Sequence, residues 1–176
     1  MESEDAVNDI LVLGCAYTPH YGEEDTTLFK HSQMTDGFAR DVKGLPVYIE
    51  HDKSKQIGEV RDAYINETRQ LMTLLHLHGD DYANSKLPHA FYKGPENNYR
   101  GFYNGLSLGN SVGFKINQRD GYSIKEIADN VPSEISIVQE GDRPMTPIRD
   151  YWLVPTREDI NEYIRREINP FIVRYF

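Results

Sequence analysis

At 176 residues the chain is long enough for one domain that buries roughly 70% of the surface its unfolded form exposes. A net charge of −9, with Lys and Arg scattered rather than gathered into a stripe, argues against a phosphate-neutralising face for nucleic acid, and no apolar run reaches the length of a membrane span. The single cysteine, Cys15, excludes an intrachain disulfide and fits a reducing compartment.

The start, Met1-Glu2-Ser3-Glu4-Asp5, is acidic where a secretory signal is basic, so residues 1–8 are expected to be disordered and the chain to stay in the cytosol or nucleus. Ile10 to Cys15 is a short apolar run between polar residues, the pattern of a strand buried on both faces. Residues 18 to 44 read as a long surface connection with one helical turn around Ser32 to Asp41. In Gly44-Leu45-Pro46-Val47-Tyr48-Ile49-Glu50-His51-Asp52, strand alternation puts Val47, Ile49 and His51 on one face. Gln56 to Tyr64 and Gln70 to His78 read as two strands joined by a hairpin at Ile65–Arg69. Between Asp80 and Tyr99, Pro88 and Pro95 interrupt the chain and leave room for one short helix over the sheet. Ser111 to Ile116, Ser133 to Val138 and Tyr151 to Val154 are further strands. A terminal helix over 156–168 follows from the capping-box pattern Thr156-Arg157-Glu158-Asp159 and the apolar stripe Ile160, Tyr163, Ile164 and Ile168. The whole is a mostly β (α+β) single domain.

Three pieces of this chain carry chemistry together. His51 ends one strand, Ser107 sits in Tyr103-Asn104-Gly105-Leu106-Ser107-Leu108-Gly109, and Glu134 opens Glu134-Ile135-Ser136-Ile137-Val138-Gln139-Glu140-Gly141-Asp142-Arg143. A lone strand-end histidine is usually packed or solvated, and a lone strand glutamate usually meets solvent. The set, however, supplies the nucleophile, base, orienting acid and oxyanion-binding turn that acyl transfer needs. The Gly-x-Ser-x-Gly of Gly105, Ser107 and Gly109 suggests a nucleophile elbow, but the chain lacks the alternating strands and helices of an α/β-hydrolase. Ser111 in Ser111-Val112-Gly113-Phe114 nearly repeats the Ser107 segment; on one extended strand the two would lie about 13 Å apart, so one of them at most reaches His51. Spacing alone does not choose between them. The catalytic atoms are expected to meet at one rim of the sheet.

The rival chemistry is His76-x-His78-x-Asp80-Asp81, where alternate strand histidines and nearby carboxylates could ligate a metal and support a metal-dependent hydrolase. Against it, His89 is the only histidine that follows, and the plain alternative is two histidines on an edge strand running into an acidic turn.

Leu45-Pro46-Val47-Tyr48-Ile49-Glu50-His51-Asp52 with Gly58-Glu59-Val60, followed by Tyr103-Asn104-Gly105-Leu106-Ser107-Leu108, resembles the two catalytic segments of the herpesvirus maturational protease, assemblin, and of its relatives the phage prohead proteases. The resemblance runs from about Ile10 to Arg143. It implies a closed or nearly closed β-barrel flanked by a few helices, with Ser107 as nucleophile and His51 as base. In the herpesvirus branch a second histidine stands where Glu134 falls; phage enzymes often carry a carboxylate in an equivalent Glu-x-Ser segment, so the site resembles a Ser-His-Glu triad. Gly141-Asp142-Arg143 resembles the family's Gly-Arg-Arg turn, which implies oxyanion stabilisation by a backbone amide at Asp142 and by Arg143. The resemblance further implies a serine endopeptidase that needs no cofactor or metal. It would cut scaffold or assembly protein, and its own precursor, after a small residue, inside the assembling capsid in host cytoplasm or nucleus. A non-catalytic scaffold-binding module of the same fold is the alternative. Herpesvirus relatives act as homodimers; the stripe of Ile160, Tyr163, Ile164 and Ile168 offers such an interface or packs on the barrel.

Overall fold

In the computed structural model the described residues are 8–19, 29, 31–85, 87, 91–97, 99–119, 121–139 and 146–175. Among them seven strands form one sheet: β1 (Ile10–Tyr17), β2 (Pro46–Ile49), β3 (Gly58–Ile65), β4 (Leu71–Leu77), β5 (Gly105–Arg119), β6 (Tyr122–Val138) and β7 (Ile148–Leu153), in the order β5-β6-β2-β3-β4-β1-β7. β2 pairs with β6 in parallel, and the other ladders are antiparallel. The two outer strands meet. Gly105 bridges Pro147, Leu106 N–H donates to Thr146 O at 3.0 Å, and Ile148 N–H donates to Asn104 O at 2.9 Å. The sheet thereby curls into a nearly closed barrel, which removes the exposed edges an open sheet would present.

All eight residues of β1 are buried because the strand has a core on each side. Ile10 and Val12 face the barrel interior with Val47, Val60, Leu75, Leu106, Ile135 and Ile137, whereas Leu11 and Leu13 face outward beneath the terminal helix. β4 is likewise interior to the sheet, between β3 and β1, so His76 and His78 do not lie on an edge strand as the acidic turn after them suggested. At Gly58, opposite Leu77, an added Cβ would stand 2.0 Å from the His76 carbonyl oxygen, so only glycine fits. The β3–β4 hairpin is set by Asn66, whose Oδ1 accepts N–H groups from Thr68 at 3.1 Å and Gln70 at 2.9 Å.

Helix α1 (Asp36–Val42) starts at Thr35, whose Oγ1 accepts the Phe38 N–H at 3.3 Å, and turns Phe38, Ala39 and Val42 into the barrel core. The short helix α2 (Gly79–Tyr82) is a single turn that starts one residue before the expected Asp80–Tyr99 stretch. The terminal helical segment comprises α3 (Ile160–Tyr163), a π-type stretch Ile164–Ile168 and α4 (Asn169–Tyr175). It begins later than Thr156 because Glu158 N–H closes a turn onto Pro155 O; Asp159 is the cap, accepting the Glu162 N–H at 3.0 Å.

Tyr163 and Ile168 are buried with Leu11, Leu13, Leu74 and Val154, and Ile160 and Ile164 pack against the same cluster. The apolar stripe therefore covers the outside of β1 and β4 and is not an open dimer face. Ile168→Ala should cost about 2–5 kcal/mol by leaving a cavity between helix and sheet. A lowered urea midpoint with an unchanged denaturant slope is the expected readout.

Candidate active site

Leu106 enters the core fully buried, so alternation turns Ser107 and Gly109 to the other face of β5. Across the ladder Ser107 pairs with Ser136 and Gly109 with Glu134, while Ile135 and Ile137, both fully buried, point inward beside Leu106. Ser107, Gly109, Glu134 and Ser136 thus form one patch on the face opposite the barrel core, rather than at a rim. The two parts of the Gly-x-Ser-x-Gly spacing now separate. Gly109 is not part of an elbow: a Cβ there would stand 2.4 Å from Glu134 Cγ, so the missing side chain is the space that the Glu134 carboxylate occupies.

His51 reaches this patch by a different route from the one alternation gives. β2 ends at Ile49, and Glu50 (φ 50°) and His51 (φ 61°) both adopt the left-handed region, closed by Asp52 N–H to Ile49 O at 2.9 Å. This is the pattern of a type I′ turn built without glycine. Such residues cost on the order of 1–3 kcal/mol each and persist where neighbours hold them. Here Glu50 N–H donates to Ile137 O at 2.9 Å, Glu50 Oε1 accepts the Gln139 N–H at 2.9 Å, and His51 N–H donates to Ser136 Oγ at 3.2 Å. The end of β6 therefore holds the turn that carries the histidine.

His51 Nδ1 lies 3.3 Å from Glu134 Oε1, and Ser136 Oγ donates to Glu134 Oε2 at 3.0 Å. An ionised carboxylate only accepts, so the contact places the ring proton on Nδ1 and leaves Nε2 as the bare nitrogen of the neutral ring. The carboxylate is buried, with 6% of its side chain exposed, whereas the imidazole is 40% exposed. A fixed acid thus sits beneath a histidine that a substrate can approach. Ser107 is buried beside Ser136, the residue that anchors the His51 backbone.

Sequence reasoning missed Ser136; its signal was the Glu-x-Ser spacing, which puts Glu134 and Ser136 on one strand face. Ser136 accepts from the His51 main chain and donates to the Glu134 carboxylate, making it a positioning residue. Ser136→Ala removes one neutral and one charged hydrogen bond and should loosen the His51 turn, seen as a shifted His51 ring resonance in NMR with the fold kept. An unchanged His51 resonance would show that Ser136 does not position the ring.

Asp52 does not compete for His51: its Oδ1 accepts the Ser54 hydroxyl at 2.5 Å and the Ser54 N–H at 3.0 Å, and these bonds hold the carboxyl below the usual carboxylate range. Ser111 pairs with Val131 beyond a bulge after Gly109, at a position whose side chain is outside the described set. Gly141, Asp142 and Arg143 lie outside the described residues.

The other histidine cluster gathers different acids from those expected. His76 and His78 meet Asp9 and Glu59, with His76 Nε2 2.8 Å from Asp9 Oδ2 and His78 Nε2 2.5 Å from Glu59 Oε2. Asp80 is exposed on α2 and is not in that group, because the helical turn starting at Gly79 carries it off the line of β4. Among the described residues no helix is long and apolar enough to cross a membrane.

No protein-family model and no curated protein sequence matches the chain. Solved structures do. A crystal structure of the protease of Kaposi's sarcoma-associated herpesvirus with a hexapeptide phosphonate inhibitor superposes with a TM-score of 0.52 at 17% identity, over 83% of this chain. The chain spans 66% of the length of that protease chain. A room-temperature structure of the same viral protease with an allosteric inhibitor gives a TM-score of 0.47 at 15% identity, over 82% of this chain and 78% of that one. The first likeness establishes the fold: mostly β, a curled barrel flanked by a few helices, similar to that of herpesvirus proteases.

Proposed function

We propose that residues 1–176 act as one serine endopeptidase domain that cleaves scaffold or assembly protein, and its own precursor, during viral capsid maturation. The observation that carries the reading is the convergence of His51, Glu134 and Ser136 beside Ser107: a carboxylate beneath Nδ1, and a strained turn anchored to the residue paired with Ser107. In the proposed reaction Ser107 Oγ attacks the scissile carbonyl carbon and His51 Nε2 takes its proton. Glu134 stabilises the imidazolium. The proton then passes to the leaving amine, and water hydrolyses the acyl-enzyme by the same steps in reverse roles. These steps need no cofactor.

The oxyanion role goes to a backbone N–H at Asp142 and to Arg143, on the resemblance of Gly141-Asp142-Arg143 to the assemblin turn. Losing one such donor costs about 2.7–4 kcal/mol in the transition state. Arg143→Ala should accordingly cut kcat by about 10²–10³-fold, and an effect on KM alone would make Arg143 a substrate-binding residue. Action inside the assembling capsid and activity as a homodimer belong to the same proposal.

The test is incubation of the purified chain with its cognate scaffold protein and identification of the cut bonds by mass spectrometry. Discrete cleavage that disappears in Ser107→Ala supports the endopeptidase. Binding of scaffold without any cut would support the non-catalytic scaffold-binding module instead.

A further inference from the structure

His76 and His78 stand at the end of β4 with ring centroids 4.2 Å apart, and each ring lies between two carboxylates. On one side is Asp9, just before β1: its Oδ2 is 2.8 Å from His76 Nε2 and 3.9 Å from His78 Nδ1. On the other is Glu59 of β3, whose Oε2 is 2.5 Å from His78 Nε2 and whose Oε1 is 3.5 Å from His76 Nδ1.

Hydrogen bonds span the two short contacts, at His76 Nε2 and His78 Nε2, while the contacts at 3.5 and 3.9 Å make none. His76 is buried, and its Nδ1 has no hydrogen-bond partner. Nitrogen and carboxylate oxygen donors thus converge on one spot around a buried nitrogen that the protein leaves unsatisfied, which is the donor set of a divalent-cation site.

We propose that Asp9 Oδ2, His76 Nε2 and His78 Nδ1 ligate a divalent transition-metal ion of the zinc class, with Glu59 as the outer carboxylate. Glu59 then accepts N–H from His76 Nδ1 and His78 Nε2, which repairs the orphaned nitrogen and fixes both tautomers. Ligand atoms of the three residues already lie within 4.8 Å of one another. Tetrahedral bonds of about 2.0–2.1 Å require donor atoms about 3.3 Å apart, and the separations of 2.8 and 3.9 Å to Asp9 Oδ2 bracket that value. Asp9 is held from behind, its Oδ1 accepting the Gly79 N–H at 2.8 Å. It also lines a cavity of about 310 Å³ with Asp80, Thr156 and Glu158, from which water can fill the fourth position. The ion would fasten the start of β1 to the end of β4 and takes no part in the proposed peptidase chemistry.

The test measures zinc per chain by mass spectrometry and affinity by competition with a chromophoric chelator, on the full chain. One zinc per chain is expected, retained in His51→Ala. Asp9→Asn and His78→Ala should each bind at least about 100-fold more weakly, and Glu59→Gln about 10–100-fold more weakly. Cobalt(II) added to the unsubstituted chain should give the intense visible absorption of a four- or five-coordinate centre, a readout independent of whether any variant folds. Absence of zinc binding, affinity unchanged in both ligand variants, or the pale spectrum of six-coordinate cobalt would each overturn the assignment.

Discussion

Ser107→Ala is expected to reduce scaffold cleavage by on the order of 10⁴- to 10⁶-fold, because it deletes the proposed attacking atom and leaves binding and oxyanion stabilisation alone to act. Ser111→Ala should keep substantial activity. The ladder gives the reason: Ser107 pairs with Ser136, the anchor of the His51 turn, whereas Ser111 pairs with Val131, beyond the point where Ser133 is left over as an extra residue of β6. Four residues along β5 separate the two serines by about 13 Å. His51→Ala should be as damaging as Ser107→Ala, and the double variant little worse than either, since triad members act as a unit. Single-turnover kinetics on one scaffold-derived peptide distinguishes these outcomes. A severe loss in Ser111→Ala with activity retained in Ser107→Ala would transfer the nucleophile to Ser111.

Glu134→Gln should lower kcat by on the order of 10⁴-fold while the fold persists. The wild-type carboxylate accepts twice, from His51 Nδ1–H through Oε1 and from the Ser136 hydroxyl through Oε2. An amide offers one acceptor and one donor. If its oxygen faces His51, its NH₂ faces Ser136, whose oxygen then accepts both this group and the His51 main-chain N–H at 3.2 Å while its own proton loses the carboxylate acceptor. If the NH₂ faces His51, the ring takes the other tautomer and no longer offers a bare Nε2 to Ser107. In either case the charge that balances the imidazolium is gone. Glu134→His, which puts here the residue that the resemblance implies for the herpesvirus branch, should recover part of the activity. Thermal melting separates a catalytic loss from an unfolded variant. Near-wild-type turnover in Glu134→Gln would remove this residue from the triad and leave a Ser-His dyad.

Strands whose two faces are both packed were the most legible part of the sequence. β1 and β4, buried at every position, are apolar enough, and the breaks at Asn66 and Gly79 distinct enough, that local pattern and tertiary structure agree there, whereas the half-polar β3 is legible from its hairpin with β4. The continuation of β5 and β6 through residues 110–130 was read only in part: Tyr122 to Asn130 is paired strand, yet its sequence, Tyr-Ser-Ile-Lys-Glu-Ile-Ala-Asp-Asn, does not sustain strict alternation.

At the site, Ser107 and Glu134 follow from strand alternation once Leu106, Ile135 and Ile137 are placed inside. His51 does not. Extending the alternation of Val47 and Ile49 through it assigns a face by a rule that stops at Ile49, and the left-handed pair Glu50 and His51 has no glycine or asparagine to announce it. What holds that turn comes from residues 136–139, more than eighty positions away, and long-range anchors of this kind leave no local trace. The same holds for the second cluster: His76 and His78 were visible as a pair, but Asp9 and Glu59 join them only because β1 and β3 flank β4.

The central claim is that His51, oriented by Glu134, activates Ser107. It is tested most directly by treating the protein with a fluorophosphonate, which reacts with an activated serine, and mapping the adduct by peptide mass spectrometry in the unsubstituted chain and in His51→Ala. The account predicts one adduct, on Ser107, that is lost in the His51 variant. An adduct on Ser111 or any other serine, or no adduct in a folded protein that still cleaves its scaffold, would contradict it.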